Sequence, residues 1–365
     1  MSKKIFLHNA EDGTTSSFVK HMKILRWVGC SPLIVDPPTF SKISVPILLV
    51  SGSIYVSNVI RCVKNIFLLD KVDFMNISLS ASGILLVLAP LLSTMEAILN
   101  RFILEKAAND LISIQNRLGA TNYNLFAPIK IMLTGPVVAA ITIVIRIAFI
   151  SNISDMIHEL YSLQLFFTIH SAVVRFAYWT HCIGDCFVRL SRNKLMVREE
   201  SIAEFMKTCV RLENLIADIN KAFDACLTWN LAIIFCFFVI QMFLAIEYGE
   251  RKPSIWAALV LWHFGVLLYS CQNVVDMARN CNSAFIRTVS QRKFDWNRTS
   301  SLVLLSYLIG RNRPAVIAFK TIVIEYGLLF SMLSGLMTYV ILLYQLHLSF
   351  DDHHNIRLTN VTPAI

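Results

Sequence analysis

Seven apolar runs dominate the pattern of this chain, each long enough to cross roughly 30 Å of hydrocarbon as a helix. They cover 43–60, 77–99, 129–150, 160–182, 226–247, 255–275 and 325–349. The first is short. The third carries Gly135-Pro136, which permits a kink. Polar and basic segments separate the runs. The pattern therefore predicts an all-α, polytopic membrane protein with seven transmembrane helices.

The last run is apolar overall, yet one line of it is polar. Ser331, Ser334, Thr338, Ile341 and Gln345 recur at spacings of three and four, which puts them on one stripe of a helix. Lipid offers a Ser or Gln no hydrogen-bond partner, so this stripe should face protein or water. Two readings stay open on spacing alone. Several copies around a symmetry axis would line a narrow aqueous path. Alternatively, the hydroxyls bond their own backbone four residues back, and Gly327, Ser331 and Gly335 form a small-residue face for tight helix packing.

A second periodic stretch lies between the fourth and fifth runs. Ile202, Phe205, Cys209, Leu212, Ile216, Ile219 and Phe223 form a heptad seam. It predicts that runs 4 and 5 continue past the bilayer as long helices, with run 6 following through Ala278, Cys281 and Phe285. The seam can close within one subunit or between subunits. A further helix is expected at 294–309, ended by Arg311-Asn312-Arg313-Pro314. Ala315 to Ile324 is β-branched and short, hence an extended connection. Near the N-terminus, Phe18, Met22 and Leu25 share a face among Lys20, Lys23 and Arg26, as in an interfacial helix.

Composition agrees with the membrane reading: 56% of the 365 residues are hydrophobic and 16% charged, where a soluble domain is nearer a quarter charged. The net charge of +9 follows topology and does not point to nucleic acid. Lys and Arg number 24 on the side of the N-terminus and 6 on the other, with three more inside the runs. The excess holds for every loop pair, which places the N-terminus in the cytoplasm and the C-terminus outside. The chain thus divides into a cytoplasmic segment 1–42, spans 1–4 over 43–182, a helical extension 183–225 and spans 5–6 over 226–275. Anchor helices and a connection follow at 276–324, then span 7 at 325–349 and an outer tail at 350–365. A G-protein-coupled receptor runs the other way, and its Asp-Arg-Tyr and Asn-Pro-x-x-Tyr motifs are absent. The sequons at Asn76, Asn152 and Asn360 fall outside in this topology, and only Asn297 falls inside.

Catalytic and metal chemistry find little support. There is no Gly-x-Ser-x-Gly, no His-Glu-x-x-His and no pair of Asp in facing spans, so no enzyme is expected. His181 with Cys182 and Cys186 resembles half a zinc site without its second pair, so neither metal nor cofactor is expected. Asp351-Asp352-His353-His354 reads as a solvated end in the outer tail.

At its C-terminal end the chain resembles an insect gustatory receptor. The signature of that family is Thr-Tyr, five mostly apolar residues, then Gln-Phe. Here it reads Thr338-Tyr339, Val340-Ile341-Leu342-Leu343-Tyr344, Gln345-Leu346, with Leu346 in place of Phe. Leu25-Arg26-Trp27-Val28-Gly29-Cys30-Ser31-Pro32 is similar to the family's short N-terminal run ending in Gly and Pro. The resemblance implies a ligand-gated cation channel of four subunits, identical or mixed with related receptors, in the plasma membrane of sensory neurons. It implies that the last helix lines the pore, that Gln345 and Leu346 lie at its constriction, and that cytoplasmic helices hold the subunits together. It further implies that each subunit takes a small-molecule tastant in an outward pocket between spans 2 and 6.

Topology then nominates residues for that pocket. The outer halves of the spans hold Arg146, then Tyr161, Gln164, Phe167 and His170, then Phe237, Gln241 and Tyr248, then Trp256 and His263. Aromatic walls with a few polar groups describe a small-molecule site. Each residue has a plainer reading: Arg146 snorkels to the interface, His263 is a satisfied bundle residue, and the aromatics are core or lipid-facing. A mostly aromatic lining suits bitter compounds or contact cues better than sugars, which want many hydrogen-bond partners. A transporter, a subunit dependent on a partner and a sugar-sensing receptor remain the alternatives. A transporter would favour internal repeats and helices interrupted at mid-membrane, and neither is evident.

Overall fold

The computed structural model describes residues 99–118, 153–192, 199–248, 251–290, 315–318 and 322–359, with isolated helical positions between 60 and 145. Several helix ends, including 153–169, 199–203, 251–255 and 350–359, are described by backbone alone. The first three predicted spans therefore fall largely outside the described residues. The N-terminal helix around Phe18 to Val28 and the helix expected at 294–309 lie wholly outside them.

The described chain is built from α1 (Arg101–Leu118), α2 (Ile153–Arg192), α3 (Glu199–Tyr248) and α4 (Arg251–Ser290), then β1 (Ile317–Ala318), β2 (Ile322–Val323) and α5 (Tyr326–Thr359). The 40, 50 and 40 residues of α2, α3 and α4 rise about 60, 75 and 60 Å at 1.5 Å per residue. Each is roughly twice the hydrocarbon thickness or more. The expectation that spans 4, 5 and 6 run on as long helices is thus met. Three described helical stretches are long and apolar enough to cross a membrane: Glu204–Ile246, Trp256–Arg287 and Tyr326–Leu346.

The heptad seam decides how these rods pack. Phe205, Cys209, Leu212, Ile216, Ile219 and Phe223 are all buried within the single chain. Phe205 stacks on Phe285 of α4 with ring centroids 4.8 Å apart and planes 8° apart. Phe223 meets Phe176 of α2 edge-on at 5.5 Å. Ala278, Cys281 and Phe285, the residues expected to continue span 6, are buried as well. The intramolecular reading of the seam therefore holds, because α2 and α4 already occupy the apolar stripe that another subunit would need.

Helix α2 supplies the largest wholly buried side chains, Trp179, Tyr178, Phe176 and Phe187. Gly184 lets α4 approach it: a Cβ there would lie 2.5 Å from Met277 Sδ. Next to Gly184, Asp185 pairs at 2.6 Å with Arg189 one turn on, keeping two charges partnered inside the bundle.

Helix α1 is an addition to the sequence reading, which left the loop after span 2 without structure. Leu104, Ala107, Ala108, Leu111 and Ile114 bury one face, while Lys106 and Arg117 stay exposed. Its length of 18 residues is too polar to span and too regular to be a loop. Lys106–Asp218 at 3.1 Å and Arg211–Asp110 at 3.8 Å tie it to α3. Both pairs are solvated and contribute little energy.

The connection into the last helix is extended, as its β-branched residues predicted, and folds into a small antiparallel hairpin. Ile317 pairs with Val323 and Ala318 with Ile322. Val316 and Ile324 are buried at its base, where Ile324 N–H donates to Val316 O at 2.8 Å. Asn220 Nδ2 donates to Ala315 O at 2.7 Å and pins the hairpin to α3. Helix α5 then starts at Tyr326 and runs to Thr359. The helix continues past the predicted span of 325–349 into the backbone of the outer tail.

Candidate pore helix and ligand site

Helix α5 has two faces. Leu329, Met332, Leu333 and Leu343 pack against the core, and Leu336 and Val340 are buried in it. On the other side, Ser331, Ser334, Thr338, Ile341, Gln345 and Leu346 are all exposed. The predicted stripe thus exists as one surface and points away from the rest of its own chain. Only 11% of the apolar stretch of this helix is buried, against 56% and 61% for those of α3 and α4.

Hydrogen bonding separates the members of the stripe. Ser331 donates to Gly327 O at 3.3 Å and Thr338 to Ser334 O at 3.1 Å. These are the backbone bonds that the packing alternative anticipated. They satisfy each hydroxyl proton and leave lone pairs outward. A Gln amide has two donors and an acceptor, too many for its own helix to satisfy, so exposed Gln345 calls for water or a polar neighbour.

The small-residue face does not seat a helix of this chain among the described residues. A Cβ at Gly327 would meet only Glu325, and Ser331 is exposed. Gly335 has a different task. A Cβ there would lie 3.5 Å from the Phe235 ring, and that ring meets Tyr339 edge-on with centroids 5.5 Å apart. Phe235 of α3 therefore fits over the notch between Gly335 and Tyr339, one helical turn apart. The signature tyrosine keys α5 to α3, a role that spacing within α5 could not reveal because the partner lies about a hundred residues away.

The ligand-site residues fall into three groups. Arg146 lies outside the described residues. Tyr161, Gln164 and Phe167 ride on α2 and Tyr248 ends α3, but their side chains also lie outside. Phe237, Gln241, Trp256, His170 and His263 are all buried. The structure brings two of these together directly. His170 Nδ1 and His263 Nδ1 are 3.1 Å apart, with ring centroids at 5.3 Å and planes tilted by 56°. One proton lies in that bond, so at least one ring is neutral and accepts through its Nδ1. The outer nitrogen of His263, Nε2, is buried without a hydrogen-bond partner among the described residues. A buried polar atom of this kind can orient a small molecule. Phe237 and Gln241 share a face of α3 one turn apart, and Trp256 and His263 share a face of α4.

Among the described residues, no group of three His, Cys, Asp or Glu side chains is placed to hold a metal ion. Cys182 and Cys186 are buried free thiols, and burial pushes the Cys186 thiol up to about 12. Such thiols are inert packing groups at neutral pH.

A bundle of rods twice the bilayer thickness, with one sparsely buried helix, defines a multi-pass helical membrane protein. Its fold is that of the insect olfactory receptors. The olfactory receptor OR5 of Machilis hrabei superposes with a TM-score of 0.67 over 93% of this chain and 99% of that chain, at 12% identity. The same receptor in complex with eugenol gives 0.63 over 90% and 97%, at 11% identity. No family model and no curated protein matches the sequence. The chemosensory-receptor fold implied by the C-terminal signature is therefore present, at an identity where fold is what the likeness establishes.

Proposed function

We propose that this protein is a taste receptor that acts as a ligand-gated, non-selective cation channel. One observation carries the reading: the polar stripe of α5 lies wholly on the exposed side of the helix that is least buried of the three apolar ones among the described residues. A single copy in lipid would leave Gln345 unserved, whereas several copies around an axis would turn the same stripe into the wall of an aqueous path. Four copies, alike or mixed with related receptors, are what the family resemblance implies. Because the heptad seam is used up inside each subunit, assembly would rest on α5 and other exposed surfaces.

The ligand is a small, largely apolar molecule, with bitter compounds and contact cues favoured over sugars. Support comes from the buried aromatic and histidine residues of α2, α3 and α4, and from the likeness to a receptor whose structure holds eugenol. The working location is the plasma membrane, with the N-terminus cytoplasmic. On intact cells a C-terminal tag should then be labelled and an N-terminal tag should not.

Gating would act at Gln345 and Leu346. A ring of Leu346 side chains resists wetting and closes the path. A small rotation would bring in Gln345, whose amide can solvate a cation. The test is to express the chain at the cell surface, screen a tastant panel and record currents. Leu346→Ala should raise resting current, Leu346→Phe should lower it, and Gln345→Ala should reduce open-channel current or change ion selectivity while ligand still binds. Unchanged current–voltage curves and leak in all three, in well-expressed protein, would return the stripe to a packing role. Currents that require a related receptor in the same cell would identify a subunit of a mixed channel.

A further inference from the structure

A neighbour sets polar side chains against the middle of α3, the longest helix among the described residues, which runs unbroken from Glu199 to Tyr248. Glu96 lies near the inner end of the predicted second span, and its buried carboxylate accepts two consecutive backbone N–H groups from the middle of α3. Ala225 N donates to Glu96 Oε1 at 2.6 Å, and Cys226 N donates to Glu96 Oε2. One turn on from Glu96, Asn100 Nδ2 donates to Ala222 O at 3.1 Å. Asn100 N in turn donates to Glu96 O, so the two side chains leave adjacent turns of one helix.

In an α-helix Ala225 N bonds Lys221 O and Cys226 N bonds Ala222 O. Each N–H carries a single proton, so what is given to Glu96 competes with the bond that the same N–H gives to the ladder, while the backbone stays helical throughout. Side chains that insert into a ladder are a known cause of helix bends. Here the insertion is complementary: a carboxylate serves the two donors while a carboxamide serves the carbonyl that Cys226 N faces in the ladder. Phe223, next to the junction, is held by Phe176.

The position of the junction gives it meaning. Cys226 is the first residue of the predicted fifth span. Below it lies the heptad seam, packed on α4. Above it lie Phe235, which keys α5, and Phe237 and Gln241 of the candidate ligand site. We propose that Glu96 and Asn100 form a splice in α3 that divides it into an anchor half and a membrane half, and that movement of the membrane half relative to the anchor is governed at this splice. The splice itself is independent of what the protein conducts. Its part in gating rests on the channel reading.

Hydrogen exchange on the purified full chain in lipid nanodiscs tests the splice. Glu96→Gln keeps the size of the side chain but can accept at one oxygen only. The amides at 222–230 should then exchange about tenfold faster, as expected for loss of one charge-assisted hydrogen bond, while exchange over 205–219 and 264–285 stays as in the parent. Asn100→Ala should raise exchange over the same 222–230 stretch by a smaller factor. Unchanged exchange at 222–230 in both variants would overturn the splice, because the ladder would then be complete without Glu96. Faster exchange spread evenly through the bundle would overturn it too, since Glu96 would be a general core residue. Currents form the second arm: Glu96→Gln should shift the tastant concentration for half-maximal current severalfold. Altered exchange in a chain that passes no current under any tastant would keep the splice and sink the channel reading.

Discussion

The seam of α3 and the stripe of α5 carry the same spacing of threes and fours, yet one is buried and the other exposed. Cys209 and Leu212 on the seam show no surface at all, while Ser331, Ser334 and Thr338 on the stripe face outward. The period says only that residues share a face. What covers the face depends on their chemistry. An apolar stripe in water is driven onto the nearest apolar surface, here α2 and α4 of the same chain. A polar stripe in a membrane helix gains nothing from its own apolar neighbours and waits for water or another polar surface.

The most damaging way to break this comparison is to put a charge on each face. Leu212→Asp buries a carboxylate in a site with no partner and should cost more than about 4 kcal/mol. The expected outcome is loss of the monodisperse peak in detergent chromatography. Ser334→Asp on α5 should leave the isolated subunit folded, because that side chain touches no core. Equal loss of folded protein from both variants would mean that α5 is covered within the subunit. Truncation at the stacked pair is milder. Phe205→Ala should cost about 3 kcal/mol, and a double-mutant cycle with Phe285→Ala should show about 1 kcal/mol of coupling from the ring pair, read from thermal melts.

A smaller effect sharpens the comparison through pH. Burial raises the Glu213 carboxyl above its ordinary 4.5, partly offset by a hydrogen bond from Asn282. A folded-state value above the unfolded one means that the folded chain holds the proton more tightly. This contribution is fully present below pH 4.5 and declines as pH rises through the raised value. Glu213→Gln should therefore flatten the fall in melting temperature between pH 4.5 and neutral, and raise stability at pH 7. No carboxylate lies on the exposed stripe between Ser331 and Leu346, so substitutions there should leave the pH profile unchanged. A profile that Glu213→Gln does not alter would show that Glu213 is solvated.

Much of this architecture was legible before any coordinates. Long apolar runs, the helical seam from Phe205 to Phe223 and the β-branched connection each follow from a local pattern, although the pattern of the seam left open whether it closes within one subunit or between subunits. The hidden parts are those in which distant segments meet. Helix α1 escaped because it is amphipathic and too polar to read as a span, in a stretch whose neighbours are spans. The His170–His263 pair joins two residues that topology had nominated separately, but their contact depends on how α2 and α4 rotate against each other. The sequence reading gave the outer tail no secondary structure, but Asp351, Asp352, His353 and His354 continue the helix, since polar residues do so readily when nothing breaks it. Glu96 was passed over because one acid inside an apolar run carries no period, and its partners are the backbone of another helix.

The finest test falls on the contact that joins the two faces. Phe235 belongs to α3 yet sits over the notch between Gly335 and Tyr339 of α5. The ring of Tyr339 supplies this contact, since its edge-on geometry needs an aromatic face and no hydroxyl. Tyr339→Phe should then leave subunit stability unchanged, and Tyr339→Ala should lower it by about 1 kcal/mol. Gly335→Ala should be tolerated, because a methyl at 3.5 Å from Phe235 is an ordinary contact, whereas Gly335→Val would push the ring away. Melts of the four variants rank them. If Tyr339→Phe proved as harmful as Tyr339→Ala, the hydroxyl would be the working group, and the signature tyrosine would belong to the outward face with Thr338 and Gln345 and not to the key that holds α5 on its own subunit.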